Sequence, residues 1–97
     1  MNNPLNHVVL WVLNDPADAP YFKAQLDSCA ALVAGILRFE VGVQTPELEG
    51  NCHIVLNSSF ADKAALDAYQ THPHHKAVSA NVGKLRLSRH VLDYYAA

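Results

Sequence analysis

The sequence predicts an α+β fold: a four-stranded antiparallel sheet with helices on one face, in the split βαβ, ferredoxin-like order. Two observations predict it. Four short β-branched or alternating segments are separated by helical stretches and one long loop, in the order βα-β and then β-αα-β. The first of those segments is apolar on both faces, so the sheet face without helices must also be covered. With 97 residues the chain makes one domain, residues 1–97, and has nothing left to cover that face. A second copy of the sheet can do so. The expectation is a homodimer with two sheets packed face to face, closed into a dimeric α/β barrel.

His7-Val8-Val9-Leu10-Trp11-Val12-Leu13 is the first strand, β-branched and too short for a stable helix. Asn14-Asp15-Pro16-Ala17-Asp18 is turn chemistry. Asp18 is placed to cap a helix from about Pro20 to Ala34, whose apolar stripe is Phe22, Leu26, Cys29, Val33 and Ile36. Gly35 is its natural stop. In the second strand Leu37, Phe39, Val41 and Val43 face one way and Arg38, Glu40 and Gly42 the other. After a loop over 44–51, Cys52 to Ser58 forms a third strand, with His53, Val55 and Asn57 on one face.

Ser59 and Asp62 stand as a loose capping pattern before a helix from Ala61 to Thr71. Pro73 excludes the α region at the residue before it, which ends that helix near Thr71 or His72 and starts a short one over His74 to Val82. Leu85 to Tyr94 closes the sheet.

Hydrophobic residues make up 51% of the chain and charged residues 16%, with a net charge of -2. No basic run exists, so nucleic acid has no electrostatic footprint here. No apolar run is long enough to span a membrane, and Met1-Asn2-Asn3-Pro4 lacks the features of a signal peptide; the chain reads as cytoplasmic. Cys29 and Cys52 stand in no metal or redox spacing and read as free buried thiols.

Three of the 6 histidines fall in Asp67-Ala68-Tyr69-Gln70-Thr71-His72-Pro73-His74-His75-Lys76. The break at Pro73 separates them. His72 fixes the turn, His74 faces solvent, and adjacent helical residues cannot converge on one ion, so no metal is expected. His75 falls in the first turn of the short helix, whose positive end favours a neutral imidazole. Tyr69 lies on the turn before the break. A neutral imidazole and a phenol hydroxyl together make a base and an oxyanion donor, enough for proton abstraction beside a carbonyl without any cofactor. The bland alternative is a core tyrosine with a satisfied hydroxyl and a histidine packed at a subunit seam. His90 and Trp11 default to core or interface.

His7-Val8-Val9-Leu10, His53-Ile54-Val55-Leu56 followed by Ser59-Phe60, Tyr69-x-x-His72-Pro73-x-His75 and the closing Asp93-Tyr94 resemble the stress-responsive A/B barrel domain family over nearly the whole chain. The resemblance implies a dimeric α+β barrel. Members of a plant subgroup similar at these positions act as polyketide cyclases, which implies catalytic roles for Tyr69 and His75 and places the strand histidines His7 and His53 near the same ligand pocket. Many bacterial members share the motif with no assigned reaction. Three functions stay open: a cyclase-like lyase, a module that binds a small apolar or aromatic ligand, and a stress-associated structural dimer. Because the motif is shared by members without a known reaction, a barrel homodimer of undefined biochemical role with a small-molecule pocket ranks first and the cyclase-like lyase second.

Overall fold

The structure, a computed structural model, describes residues 3–97. Its elements are β1 (Leu5–Leu13), a single 3-10 turn (Pro16–Asp18), α1 (Ala19–Asp27), β2 (Ile36–Val43), β3 (Ile54–Phe60), α2 (Lys63–Thr71), α3 (Pro73–Gly83) and β4 (Arg86–Tyr95). The sheet order is β2-β3-β1-β4, and every neighbouring pair is antiparallel. This is the ferredoxin-like α+β arrangement expected from the element order. No helix among the described residues is long and apolar enough to cross a membrane.

Strand β1 organises the packing. Its side chains alternate, so Leu5, His7, Val9, Trp11 and Leu13 are buried toward the helices. Val9, Ile54, Leu56, Phe60, Phe22, Tyr69 and Val82 meet in one core between the sheet and the helices. Trp11 sets its ring edge-on to Phe22, with centroids 5.2 Å apart. The other sheet face carries no helix. Val8 and Leu10 of β1, Val55 of β3 and Leu92 and Tyr94 of β4 share it, as their cross-strand pairing requires. Leu92 is 64% exposed there and Tyr94 47%.

Several local expectations are corrected. Helix α1 ends at Asp27, not near Ala34. The Ser28 hydroxyl donates to the Gln25 carbonyl at 2.6 Å, and the next bonds, Cys29 N–H to Leu26 and Leu32 N–H to Cys29, span three residues instead of four. Cys29 remains buried although it lies outside the helix. Asp18 makes no side-chain cap; Asp15 does, accepting from the Ala17 N–H. Asp62 caps α2 through the Ala65 N–H, while Ser59 donates to Asn6 Oδ1 across the sheet and takes no part in capping.

The third strand starts at Ile54, two residues later than expected. In β2 the register slips between Ile36 and Arg38. That bulge turns Leu37 outward to 58% exposure, so it does not share the face of Phe39 and Val41. Gly35 adopts φ +96°, and a Cβ built there would meet the Ala65 Cβ at 2.8 Å. Left-handed backbone and close approach to α2 both demand glycine at this point.

Candidate functional site

The site is set by the junction of α2 and α3. His72 stands before Pro73 and is held extended, at φ -63° and ψ 135°. Its Nδ1 accepts the His74 N–H at 3.0 Å and so caps α3. His74 points the other way, its Nε2 2.8 Å from Ser28 Oγ. The Ser28 proton already goes to the Gln25 carbonyl, so His74 is the donor to that oxygen. His75 alone of the three turns inward. The three side chains diverge, and the described residues contain no group of three metal-capable side chains.

Between the helices and the covered face of the sheet lies a cavity of about 260 Å³. His7, Trp11, Tyr69, His75, Arg86 and Arg89 are among its walls. The Tyr69 and His75 rings meet edge to face, with centroids 4.5 Å apart and planes at 61°. Tyr69 is also braced by Phe60, at 5.1 Å, and by His7, at 6.4 Å. Burial, followed by the charge of the nearby Cys29 thiolate form, pushes the Tyr69 phenol well above its usual range. It therefore stays protonated, with its hydroxyl proton available for donation.

His75 has its basicity lowered from the ordinary 6.5, chiefly by burial. The Gln70 carbonyl opposes this, and the positive charges of His7, Arg89 and His72 add to the lowering. The Gln70 carbonyl is close enough to favour a charged ring, yet His75 Nδ1 is buried and makes no hydrogen bond. His7 is oriented from the far edge of the sheet: its Nδ1 donates to Asp93 Oδ1 at 2.5 Å. That pairing leaves Nε2 of a neutral ring as the acceptor.

Thus Tyr69, His75 and His7 come together, and His53 does not. The expectation that His7 and His53 lie near the same pocket is corrected by strand direction. β1 and β3 are antiparallel, so His7 pairs with Ser58 while His53 falls beyond Trp11 at the other end. There His53 Nδ1 accepts the Leu13 N–H at 2.9 Å. His53 lines a separate, more open hollow of about 370 Å³ under the loop between β2 and β3, with Leu10, Leu48 and Cys52.

Two cavity-lining residues, and the partner that orients a third, had no role readable in the sequence. Asp93 belongs to the closing Asp93-Tyr94 pair, but its partnership with His7 follows only from the β1–β4 register. Arg86 and Arg89 lie on an edge strand with no local signal that either faces a cavity.

The lowered His75 pKa has a measurable consequence. In the unfolded chain His75 takes up its proton at the ordinary value, and in the folded chain only at lower pH. The unfolded state therefore binds more protons as pH falls below about 6.5, and the His75 contribution to stability is lost from there down to its folded pKa. Melting temperature measured from pH 7.5 to 5 is expected to fall less steeply in His75→Gln than in the parent chain. Parallel slopes would show that His75 is not held neutral.

No curated protein matches the chain. Among solved structures it is similar to a dimeric protein of unknown function and ferredoxin-like fold from Bacteroides fragilis, at 27% identity over 96% of this chain and 96% of that one, TM-score 0.81. A dimeric ferredoxin-like protein of unknown function from Thermobifida fusca is 19% identical, covers 99% of this chain and 93% of that one, and has a TM-score of 0.86. A Dabb family protein from Mesorhizobium loti is 22% identical over 98% of both chains, TM-score 0.79. The family model described as Stress responsive A/B Barrel Domain matches residues 5–96. This chain belongs to the stress-responsive A/B barrel domain family.

Proposed function

We propose that this chain is a homodimeric binding domain that holds a small apolar or aromatic molecule in the cavity beside Tyr69 and His75. One observation carries the binding reading. His75 Nδ1 is buried without a hydrogen-bond partner, next to a tyrosine that stays protonated. Buried polar atoms are nearly always paired, and a bound molecule with a hydroxyl or carbonyl would supply what this wall lacks. Tyr69 donates, His75 accepts or donates according to its tautomer, and the Asp93-oriented His7 adds a third polar point. Support for the dimer comes from the uncovered apolar sheet face and from two relatives described as dimeric.

The pair Tyr69 and His75 also has the donor and base that ring closure beside a carbonyl requires. The relatives named above are described without a substrate and lend that reaction no support, so the proposal is binding.

The test is a thermal-shift series with phenol, resorcinol and hydroxybenzaldehydes. A ligand at a hundred times its Kd stabilises by about 2.7 kcal/mol, which in a domain of this size raises Tm by roughly 10–20 °C. In His75→Phe the same ligand is expected to bind about three- to tenfold more weakly, the worth of one neutral hydrogen bond. A flat response across the series in the parent chain, or unchanged affinity in the variant, would overturn the assignment.

A further inference from the structure

The charge around the cavity is one-sided. The chain as a whole carries a net charge of -2, yet among the described residues the cavity walls include the two fixed cations Arg86 and Arg89 and no aspartate or glutamate. The nearest acid on the strand, Asp93, is already engaged by His7. Among the described residues neither Arg86 nor Arg89 makes an ion pair; the pairs present are His7–Asp93, Lys23–Asp27 and Lys63–Asp67.

Both arginines reach this side by a specific backbone device. Simple alternation from Arg89, which pairs with Trp11, would turn Leu87 toward the helices. Instead the β1–β4 register slips, so that Ser88 pairs with Val12 and Arg86 with Leu13. Leu87 is expelled to 70% exposure, and Arg86 takes the inner face with Arg89. Bulges re-aim side chains in this way, often beside functional sites. Arg86 and Arg89 therefore both line a hollow whose buried walls include Val9, Leu26, Val78 and Val82. Its volume of about 260 Å³ falls below the roughly 300 Å³ at which pockets for drug-sized molecules begin.

We propose that the cavity selects a small carboxylate, a single-ring aromatic or short branched-chain acid, with its anionic head on Arg86 and Arg89 and its apolar body directed at Trp11 and the helix valines. This rests on the cavity being a ligand site as proposed above. The arginine fork matches a carboxylate with two parallel hydrogen bonds. The aliphatic and indole walls exclude water from the remainder of the molecule.

The experiment is calorimetric titration of the full chain with benzoate and 3-methylbutanoate, each beside its primary amide, which has nearly the same shape without the charge. The acids are expected to bind about ten- to a hundredfold more tightly than the amides, as charge-assisted hydrogen bonds imply. The double variant Arg86→Gln/Arg89→Gln should erase that advantage and bring each acid to the affinity of its amide in the same variant. Both positions are exposed on an edge strand, and circular dichroism checks that the variant stays folded. Equal affinity of acid and amide, or an acid preference that survives in the variant, overturns the carboxylate assignment while leaving the binding site intact. Absence of binding by acids and amides alike overturns the carboxylate assignment, and the binding site falls with it where the phenol series is also silent.

Discussion

Phe60→Ala is expected to lower folding stability by about 3–5 kcal/mol, the usual range for deleting a buried aromatic ring. Phe60 is 0% exposed and closes β3 between Leu5 and Ile36. Its ring meets His7 at 6.2 Å and Tyr69 at 5.1 Å. The loss thus has two parts: transfer of the ring from water is forfeited, and a void opens behind the wall that braces Tyr69. Domains of this size have total stabilities of about 5–15 kcal/mol, so the variant sits near its unfolding threshold at room temperature. Equilibrium denaturation in urea measures the change. Phe60→Leu fills most of the void and should recover more than half of it. A loss below about 1 kcal/mol for Phe60→Ala would mean that the core closes around the gap and that Tyr69 is held by other contacts.

The second large effect concerns assembly. Leu92→Glu is expected to convert the proposed dimer into single chains. Leu92 lies on the open sheet face opposite Val8 and is 64% exposed in the isolated chain. A stable pairing of two such faces would bury about 1,200–2,000 Å² in total. Two-fold symmetry places a glutamate in it from each copy, and each buried carboxylate costs several kcal/mol. Dissociation should rise on the order of a thousandfold or more. Sedimentation equilibrium reads the mass, and the melting temperature should lose its dependence on protein concentration. Tyr21→Glu is the control, because Tyr21 is an exposed aromatic on α1, away from the sheet. A parent chain that sediments as a single copy sinks the dimer at once.

What was legible in the sequence was local. Pro73 dictated the break between α2 and α3, and from that break alone came the separation of His72, His74 and His75. The β-branched runs located the strands to within two residues. Two kinds of information were out of reach. One was strand direction and register. His7 and His53 look alike as strand-start histidines, but an antiparallel pairing sends them to opposite ends, and only register joins His7 to Asp93. The other was the difference between burial and helicity. The stripe Phe22, Leu26, Cys29, Val33 and Ile36 records residues that face the core, and Cys29 and Val33 do so from turns after α1 has ended. Periodicity reports which side chains avoid water and leaves open which backbone carries them.

The two register slips lie in the outermost strands, at Leu37 in β2 and at Leu87 in β4. An outermost strand offers unpaired N–H and C=O groups to any further strand, and addition at such a border has no natural end: each new copy exposes the same border again. A local kink in each border breaks the straight row of groups that such growth requires. Contact through the flat side stops at two copies, since each flat side is then consumed. The same irregularity that turns Arg86 inward thus also interrupts the row of backbone groups that growth into an endless ribbon would use.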